Sequence, residues 1–334
     1  MNNRFSVGII GTGSYLPEKI VSNKDLEKIM DTSHEWIKSR TGISSRRVVD
    51  SEMATSDLAT RAAKKAMEDA EITPEELDLI IVATATPDMA FPSTACIVQE
   101  NIGAINAAAF DIEAACTGFI YALTIGEQFI KTGFYQKILI IGAEVLTKVI
   151  DWEDRNTAVL FGDGAGAVVL DRVESGKGIL SSYLGSDGRD GNLLTLPGGG
   201  SRYPANYKTI DDKLHYIKMQ GNEVFKFAVR IMGNAALKVL DKSNIKLEDV
   251  DYLVPHQANI RIIEAAAKRL KLPMEKVYVN LDEYGNISAA SVPVALDEAV
   301  KKGFIKEEDI VVLVAFGAGL TWGSTAIKWC KKES

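Results

Sequence analysis

The sequence predicts an α/β fold built from two similar halves, and three observations carry that prediction. Short apolar runs alternate with stretches of helical periodicity along the chain. The runs repeat in order: Leu79-Ile80-Ile81-Val82 matches Asp251-Tyr252-Leu253-Val254, and residues 137–142 match residues 310–315. The strand-to-helix turn at Cys116 matches the one at Asn286. It lies 34 positions after Val82 (116 − 82), against 32 after Val254 (286 − 254). Two such halves, each with a mostly buried sheet, fit a layered architecture.

In order, residues 7–10 read as a strand. Residues 56–70 read as a helix, with Ser56 as N-cap and Leu58, Ala62, Ala66 and Ala70 on one face. Residues 79–84 read as a buried strand, and Pro92 opens another helix, where a missing N–H costs nothing. Residues 107–112 are a strand, and residues 116–132 a helix closed by Gly133. Strands at 137–142 and 166–170 complete a first half spanning 1–175. The second half, 222–334, holds a helix at 222–240, a strand at 251–254 and a helix at 258–270 that stops before Pro273. A short strand at 277–280, a helix at 288–301 and strands at 310–315 and 325–329 follow. Residues 176–207 are rich in Gly, Ser and Pro and include Gly198-Gly199-Gly200, and residues 176–221 read as an irregular connection.

A chain of 334 residues exceeds most single cores. With 46% hydrophobic and 25% charged residues, its composition is that of a soluble globular protein. A net charge of −7 argues against general affinity for nucleic acid or anionic membrane. No apolar run reaches the ~18 residues that span a bilayer, and the first residues lack a cleavable leader pattern. Cys96, Cys116 and Cys330 show no paired spacing, and His34, His215 and His256 are widely separated. Neither a disulfide framework nor a metal site is expected. The expected setting is a reducing cytoplasm.

Several segments carry chemistry. Cys116 sits in Glu113-Ala114-Ala115-Cys116-Thr117-Gly118-Phe119, between a strand-like run and a helical one. A helix N-terminus favours thiolate and offers N–H groups to an oxyanion. The competing reading is a small buried hydrophobe. His256 follows a buried strand in Val254-Pro255-His256-Gln257-Ala258-Asn259, at a strand end where α/β sheets place ligands. Asn286, in Gly285-Asn286-Ile287-Ser288, reads alone as turn chemistry or a cap. Gly11-Thr12-Gly13 has Leu16 where a dinucleotide fingerprint needs glycine, so that reading is rejected. Phe161-Gly162-Asp163-Gly164-Ala165-Gly166 reads as a tight bend before a strand. Phe316-Gly317-Ala318-Gly319 lets backbone approach a site and supplies N–H groups for an oxyanion hole. Trp36 and Arg40 combine an aromatic face with a guanidinium, a pair suited to a nucleobase and phosphates. Lys226 and Arg230, with Arg261, Lys268 and Arg269, form either solvated helix faces or a docking surface for an acidic partner.

Seven of these segments, in order, resemble the β-ketoacyl-[acyl-carrier-protein] synthase III family. They are 11–17, 35–43, 115–119, 161–167, 255–259, 285–291 and 316–324. The resemblance implies the thiolase fold: two pseudo-symmetric βαβαβαβ halves forming αβαβα layers. It implies a Cys116–His256–Asn286 triad, with the backbone N–H groups of Cys116 and Ala318 as an oxyanion hole. It further implies that Trp36, Arg40, Arg155 and Asn259 bind coenzyme A, that Phe91, Phe161 and Phe225 wall the acyl pocket, and that Lys226, Arg261 and Lys268 dock the acyl carrier protein. The implied activity is initiation of type II fatty-acid synthesis by a homodimer, from acyl-CoA and malonyl-acyl-carrier-protein, without metal or redox cofactor. Ala318 and Asn156 stand where the family often has glycine. Relatives making other β-keto or polyketide products share the triad and stay open. A papain-like hydrolase has Cys, His and Asn in the same order, but the sequence around Cys116 and the repeated α/β layout disfavour it.

Overall fold

A computed structural model describes residues 5–330 of the chain; the expected halves also take in 1–4 and 331–334, which lie outside the described residues. The first sheet contains β1 (Ser6–Tyr15), β2 (Leu79–Ala83), β3 (Ala108–Ile112), β4 (Ile138–Val145) and β5 (Asp163–Val173), in the order β1-β5-β4-β2-β3. The second contains β6 (Gly178–Ser186), β7 (Tyr252–Pro255), β8 (Ile310–Gly317) and β9 (Thr321–Lys328), in the order β7-β8-β9-β6. The helices of eight residues or more are α1 (His34–Thr41), α2 (Thr55–Asp69), α3 (Thr94–Ile102), α4 (Gly118–Lys131), α5 (Gly221–Ser243), α6 (Ile260–Arg269) and α7 (Ser291–Lys301).

The strands alternate their side chains between two apolar layers. Leu79, Ile81 and Ala83 of β2 face a central layer with α4 and α7, and so do Val311, Leu313 and Ala315 of β8. Ile80 and Val82 face an outer layer with α2 and α3. Val312, Val314 and Phe316 face the opposite outer layer with α5 and α6. The order is helix, sheet, helix, sheet, helix, as the resemblance implied. Covering both faces of each sheet explains why β2 and β4 read as unbroken apolar runs, since every residue in them is buried.

The two sheets share a pairing pattern. β2 is parallel to β3 and β4, whereas β5 is antiparallel to β4 and β1. In the second sheet β7 is parallel to β8, and β9 is antiparallel to β8 and β6. Two expectations change. Residues 176–221 are not wholly irregular, because β6 opens them and closes the second sheet as β1 closes the first. The expected strand at 277–280 is reduced to a single bridge between Leu253 and Val277. Gln257 accounts for that loss. Its amide donates to Tyr278 O (3.1 Å) and accepts from Asn280 N (3.1 Å) and Leu281 N (3.2 Å), taking backbone groups that a strand ladder would use.

Helix starts also shift. Ala54 precedes α2 and its N–H donates to Asp57 (2.8 Å), while Ser56 lies inside the helix and donates to Asp88 (2.6 Å). Pro92 precedes the true cap of α3, Ser93, whose hydroxyl accepts from Cys96 N. The turn matched with Cys116 is real, but its register differs by three residues. Ala115 and Ser288 each open a short 3₁₀ turn in the left-handed region (φ 45° and 46°), so Cys116 corresponds to Ala289 rather than Asn286. Such conformations cost about 1–3 kcal/mol each at non-glycine residues.

The glycine motifs prove to be packing devices inside strands. Gly11 and Gly13 lie in β1 beneath α2, where an added Cβ would fall 2.5 Å from Ala66 O and 2.4 Å from Ala66 N. Gly164 and Gly166 lie within β5 rather than in a bend before it. Gly142 in β4 meets the Ser288 turn, and a Cβ there would sit 2.3 Å from Ala289 O. Gly142→Ala is expected to lower stability by about 1–3 kcal/mol, read as a fall in Tm. Gly200→Ala, with nothing within 4 Å, should melt with the wild type. An unchanged Tm for Gly142→Ala would contradict this packing.

Candidate active site

Cys116 sits in the 3₁₀ turn Ala115–Thr117 that leads directly into α4. Its side chain is 7% exposed. Burial pushes the thiol up to about 12; the neighbouring Ser288 side chain opposes that rise, and the charge of Glu144 adds to it. The resting sulfur is therefore a thiol, and the helix N-terminus alone does not ionise it. Gly317, the last residue of β8, brings its backbone against this turn: a Cβ there would lie 2.8 Å from Cys116 N. That approach sets Ala318 beside Cys116 on the wall of a cavity of about 650 Å³. Phe161, Leu146, Leu194 and Ser288 line the same cavity.

His256 directly follows β7, and its N–H donates to Val314 O of β8 (2.8 Å). The ring meets Phe316 edge-on, with centroids 5.5 Å apart. It is 1% exposed, and neither ring nitrogen has a hydrogen-bond partner among the described residues. Burial drives its imidazole down to about 3, so the ring is neutral at physiological pH. A neutral imidazole with no partner leaves one N–H donor and one acceptor nitrogen unspent.

Asn286 is anchored on both sides of its peptide plane: its N–H donates to Leu160 O (2.8 Å) and its carbonyl accepts from Gly162 N (3.0 Å). Its side-chain oxygen accepts from Ser288 N (2.8 Å). That bond fixes the amide orientation and leaves the NH₂ end as the donor. His256 and Asn286 do not line the 650 Å³ cavity. They are joined to it through Phe316–Gly317 on one side and through Ser288 and the Phe161–Asn286 bridge on the other.

The expected coenzyme A residues fall together. The guanidinium carbons of Arg40 and Arg155 stand 4.9 Å and 5.2 Å from the Trp36 ring. Asn259, the cap of α6, donates its side-chain N–H to Arg40 O (3.0 Å). Arg155 is also 3.6 Å from Asp31. Lys226 on α5 and Arg261 and Lys268 on α6 are exposed on two helices that pack together. Of the expected acyl-pocket residues, Phe161 lines the cavity. Phe225 instead packs into the outer layer around α5, and Phe91 is 85% exposed.

Sequence reasoning passed over Ser288 and Glu144, which both bear on the nucleophile. Ser288 lay in the motif around Asn286 but reads from sequence only as the start of a helix. Glu144 carried a usable signal: a carboxylate two residues past an unbroken apolar run, still inside a strand, with 0% exposure.

Residues 110–188 match the family described as 3-Oxoacyl-[acyl-carrier-protein (ACP)] synthase III, and residues 240–329 match its C-terminal counterpart. A β-ketoacyl-[acyl-carrier-protein] synthase III of Caldanaerobacter subterraneus subsp. tengcongensis is 63% identical, over 99% of this chain and 100% of the relative. The crystal structure of the 3-oxoacyl-[acyl-carrier-protein] synthase III from Aquifex aeolicus superposes with a TM-score of 0.90 at 50% identity, covering 97% of this chain and 100% of that one. The priming β-ketosynthase of the R1128 polyketide pathway gives a TM-score of 0.91 at 33% identity, covering 100% and 99%. With the paired sheets, the buried Cys116 and the anchored His256 and Asn286 already in place, these likenesses assign the chain to the β-ketoacyl-[acyl-carrier-protein] synthase III family.

Proposed function

We propose that this chain is the condensing enzyme that initiates type II fatty-acid synthesis, with Cys116 as acyl carrier. The Cys116 sulfur gives up its proton and attacks the carbonyl of an acyl-CoA, an S–C bond forms, and coenzyme A leaves with its own sulfur and takes up that proton. Malonyl-acyl-carrier-protein then loses CO₂, and the electron pair of the broken C–C bond becomes an enolate. The enolate carbon attacks the acyl group, expels the Cys116 thiolate and gives 3-oxoacyl-acyl-carrier-protein. Coenzyme A is a substrate here, and the carbanion arises without a metal.

The observation that carries this reading is the pair of unspent donors near a buried thiol. His256 is neutral with no partner, and Asn286 has its oxygen already occupied. Both suit a malonyl thioester oxygen that becomes negative as CO₂ departs. The N–H groups of Cys116 and Ala318 suit the other oxyanion, since the two residues share one cavity wall. Trp36 with two guanidiniums close to its ring suits an adenine with phosphates nearby. The exposed Lys226, Arg261 and Lys268 suit an acidic carrier protein. The 63% identity over nearly the whole chain favours fatty-acid initiation over the polyketide-type product of the 33% identical structure.

A homodimer is part of the same proposal. β3 ends the first sheet with one free edge, and Phe91 before α3 and Ile105 before β3 are 85% and 79% exposed. A second copy pairing there would cover both. A cytoplasmic setting follows from substrates found there; no helix among the described residues is long and apolar enough to cross a membrane.

Cys116→Ala should abolish condensation, read as coenzyme A released from acyl-CoA plus malonyl-acyl-carrier-protein. With acyl-CoA alone the wild type should stop after one equivalent of coenzyme A per site; continued release of free acid would make the protein a hydrolase. Arg261→Glu should raise KM for the carrier-protein substrate roughly 10-fold while leaving KM for acyl-CoA unchanged, and equal effects on both would remove the docking assignment. Sedimentation at micromolar concentration should give a dimer, and a monomer would exclude the shared edge.

A further inference from the structure

Arg46 is 0% exposed, and the mechanism leaves it without a role. It lies in the short strand Ser45–Arg47, which pairs with Ile20–Ser22, and the alternation of that strand turns Arg46 alone into the interior. Burying a guanidinium is costly unless its donors are well used. No acidic group partners it among the described residues, and its Nε has no partner of any kind. Burial lowers the guanidinium to about 10, so it keeps its charge at physiological pH.

The two terminal nitrogens reach three acceptors. Nη1 donates to Val21 O (3.2 Å) and to Asn23 Oδ1 (3.0 Å), and Nη2 donates to Val159 O (2.8 Å). Asn23 is itself fixed, because its amide donates to Ile43 O (2.7 Å). The fork therefore has one allowed placement, and the Val159 carbonyl is tied to it.

That carbonyl adjoins an anchor of Asn286. Val159 precedes Leu160, whose carbonyl accepts from Asn286 N (2.8 Å). The stem of Arg46 supports the other anchor. Gly162 N donates to Asn286 O (3.0 Å), and a Cβ added at Gly162 would stand 3.2 Å from Arg46 Cβ. Gly285, which precedes Asn286 with φ 70°, would place a Cβ 3.5 Å from the same atom and 2.7 Å from Leu160 O. The neighbours of Arg46 grip the approach to Asn286 as well, since Ser44 N donates to Asp282 O (2.8 Å) and Ser45 Oγ to Glu283 O (2.9 Å).

An apolar side chain could fill this space, but it would leave the Val159 carbonyl and Asn23 oxygen without their donor. We propose that Arg46 is a positioning residue for condensation: its stem and its fork hold the backbone on both sides of Asn286, and so aim the Asn286 amide at the malonyl thioester oxygen. The Cys116 turn is held by other groups. Ala115 N donates to Glu113 (2.8 Å), and Thr321 Oγ1 donates to Ala114 O (3.3 Å). Acylation therefore does not depend on Arg46, whereas the decarboxylating step does.

This inference rests on Asn286 serving the malonyl thioester, so the two half-reactions are measured apart. Acyl-enzyme formation at saturating acetyl-CoA is followed by intact mass. The isolated acyl-enzyme is then mixed with saturating malonyl-acyl-carrier-protein, and its loss is followed in the same way. A donor displaced by about 1 Å costs on the order of 100-fold, so Arg46→Met should slow the second step by roughly that factor and the first by less than about threefold. Arg46→Lys keeps a donor on a similar stem and should slow the second step only about 10-fold; it carries the test if Arg46→Met does not fold. Either Arg46 variant combined with Asn286→Ala should condense no more slowly than Asn286→Ala alone, because one residue acts through the other. Equal slowing of both half-reactions, condensation at the wild-type rate, or a further loss in the double variant would overturn the role of Arg46. Condensation at the wild-type rate in Asn286→Ala would instead overturn the reading of Asn286 on which it rests.

Discussion

The site depends on one close contact, the packing of two left-handed turns against each other at the centre of the molecule. Ala115 and Ser288 hold matching φ values of 45° and 46°, one from each half. Neither is glycine, so each carries strain that the surrounding packing must hold. The packing can hold it because glycines remove what would stand between the turns. Gly142 admits the Ala289 carbonyl and Gly317 admits the Cys116 backbone. The duplicated halves thus meet where each changes from strand to helix, and Cys116 comes from one half while Asn286 and Ser288 come from the other.

Desolvation is the second consequence of that contact. It is the largest influence on Cys116, His256 and Glu144 alike, and it acts in the direction that keeps each group neutral. The thiol stays protonated, the imidazole stays uncharged and the carboxyl approaches neutrality at physiological pH. A centre with so little fixed charge matters most when charge arrives with the reaction. Preorganised N–H donors in a dry site stabilise a developing oxyanion far better than they would in water. The charged residues proposed to meet substrate lie outside this zone, at Trp36 with its two arginines and on the exposed faces of α5 and α6.

Much of this was legible in the sequence because burial on both faces leaves a plain signature. β2, β4 and β8 read as apolar runs since helices cover each side. Cys116, His256 and Asn286 stood out through their places at strand ends and turns, although the family resemblance gave them roles that local physics could not. β6 escaped because its Gly-Ser-rich sequence and half-exposed residues blur the alternation. The strand expected at 277–280 failed through a tertiary effect, the Gln257 side chain taking its backbone groups. The three-residue offset between the matched turns was invisible, because a left-handed alanine or serine has no sequence mark. Ser56 shows the same limit: a good capping residue was spent on Asp88 instead.

The claim that everything else serves is that a buried thiol, and not the most accessible one, carries the acyl group. Cys96 is exposed, whereas Cys116 and Cys330 are buried. Peptide mapping after brief incubation with acyl-CoA alone separates geometry from accessibility. The account predicts one acyl group per chain, on the peptide containing Cys116, with Cys96 and Cys330 unmodified. Acylation of Cys96, or no stable acyl-enzyme at all, would contradict it.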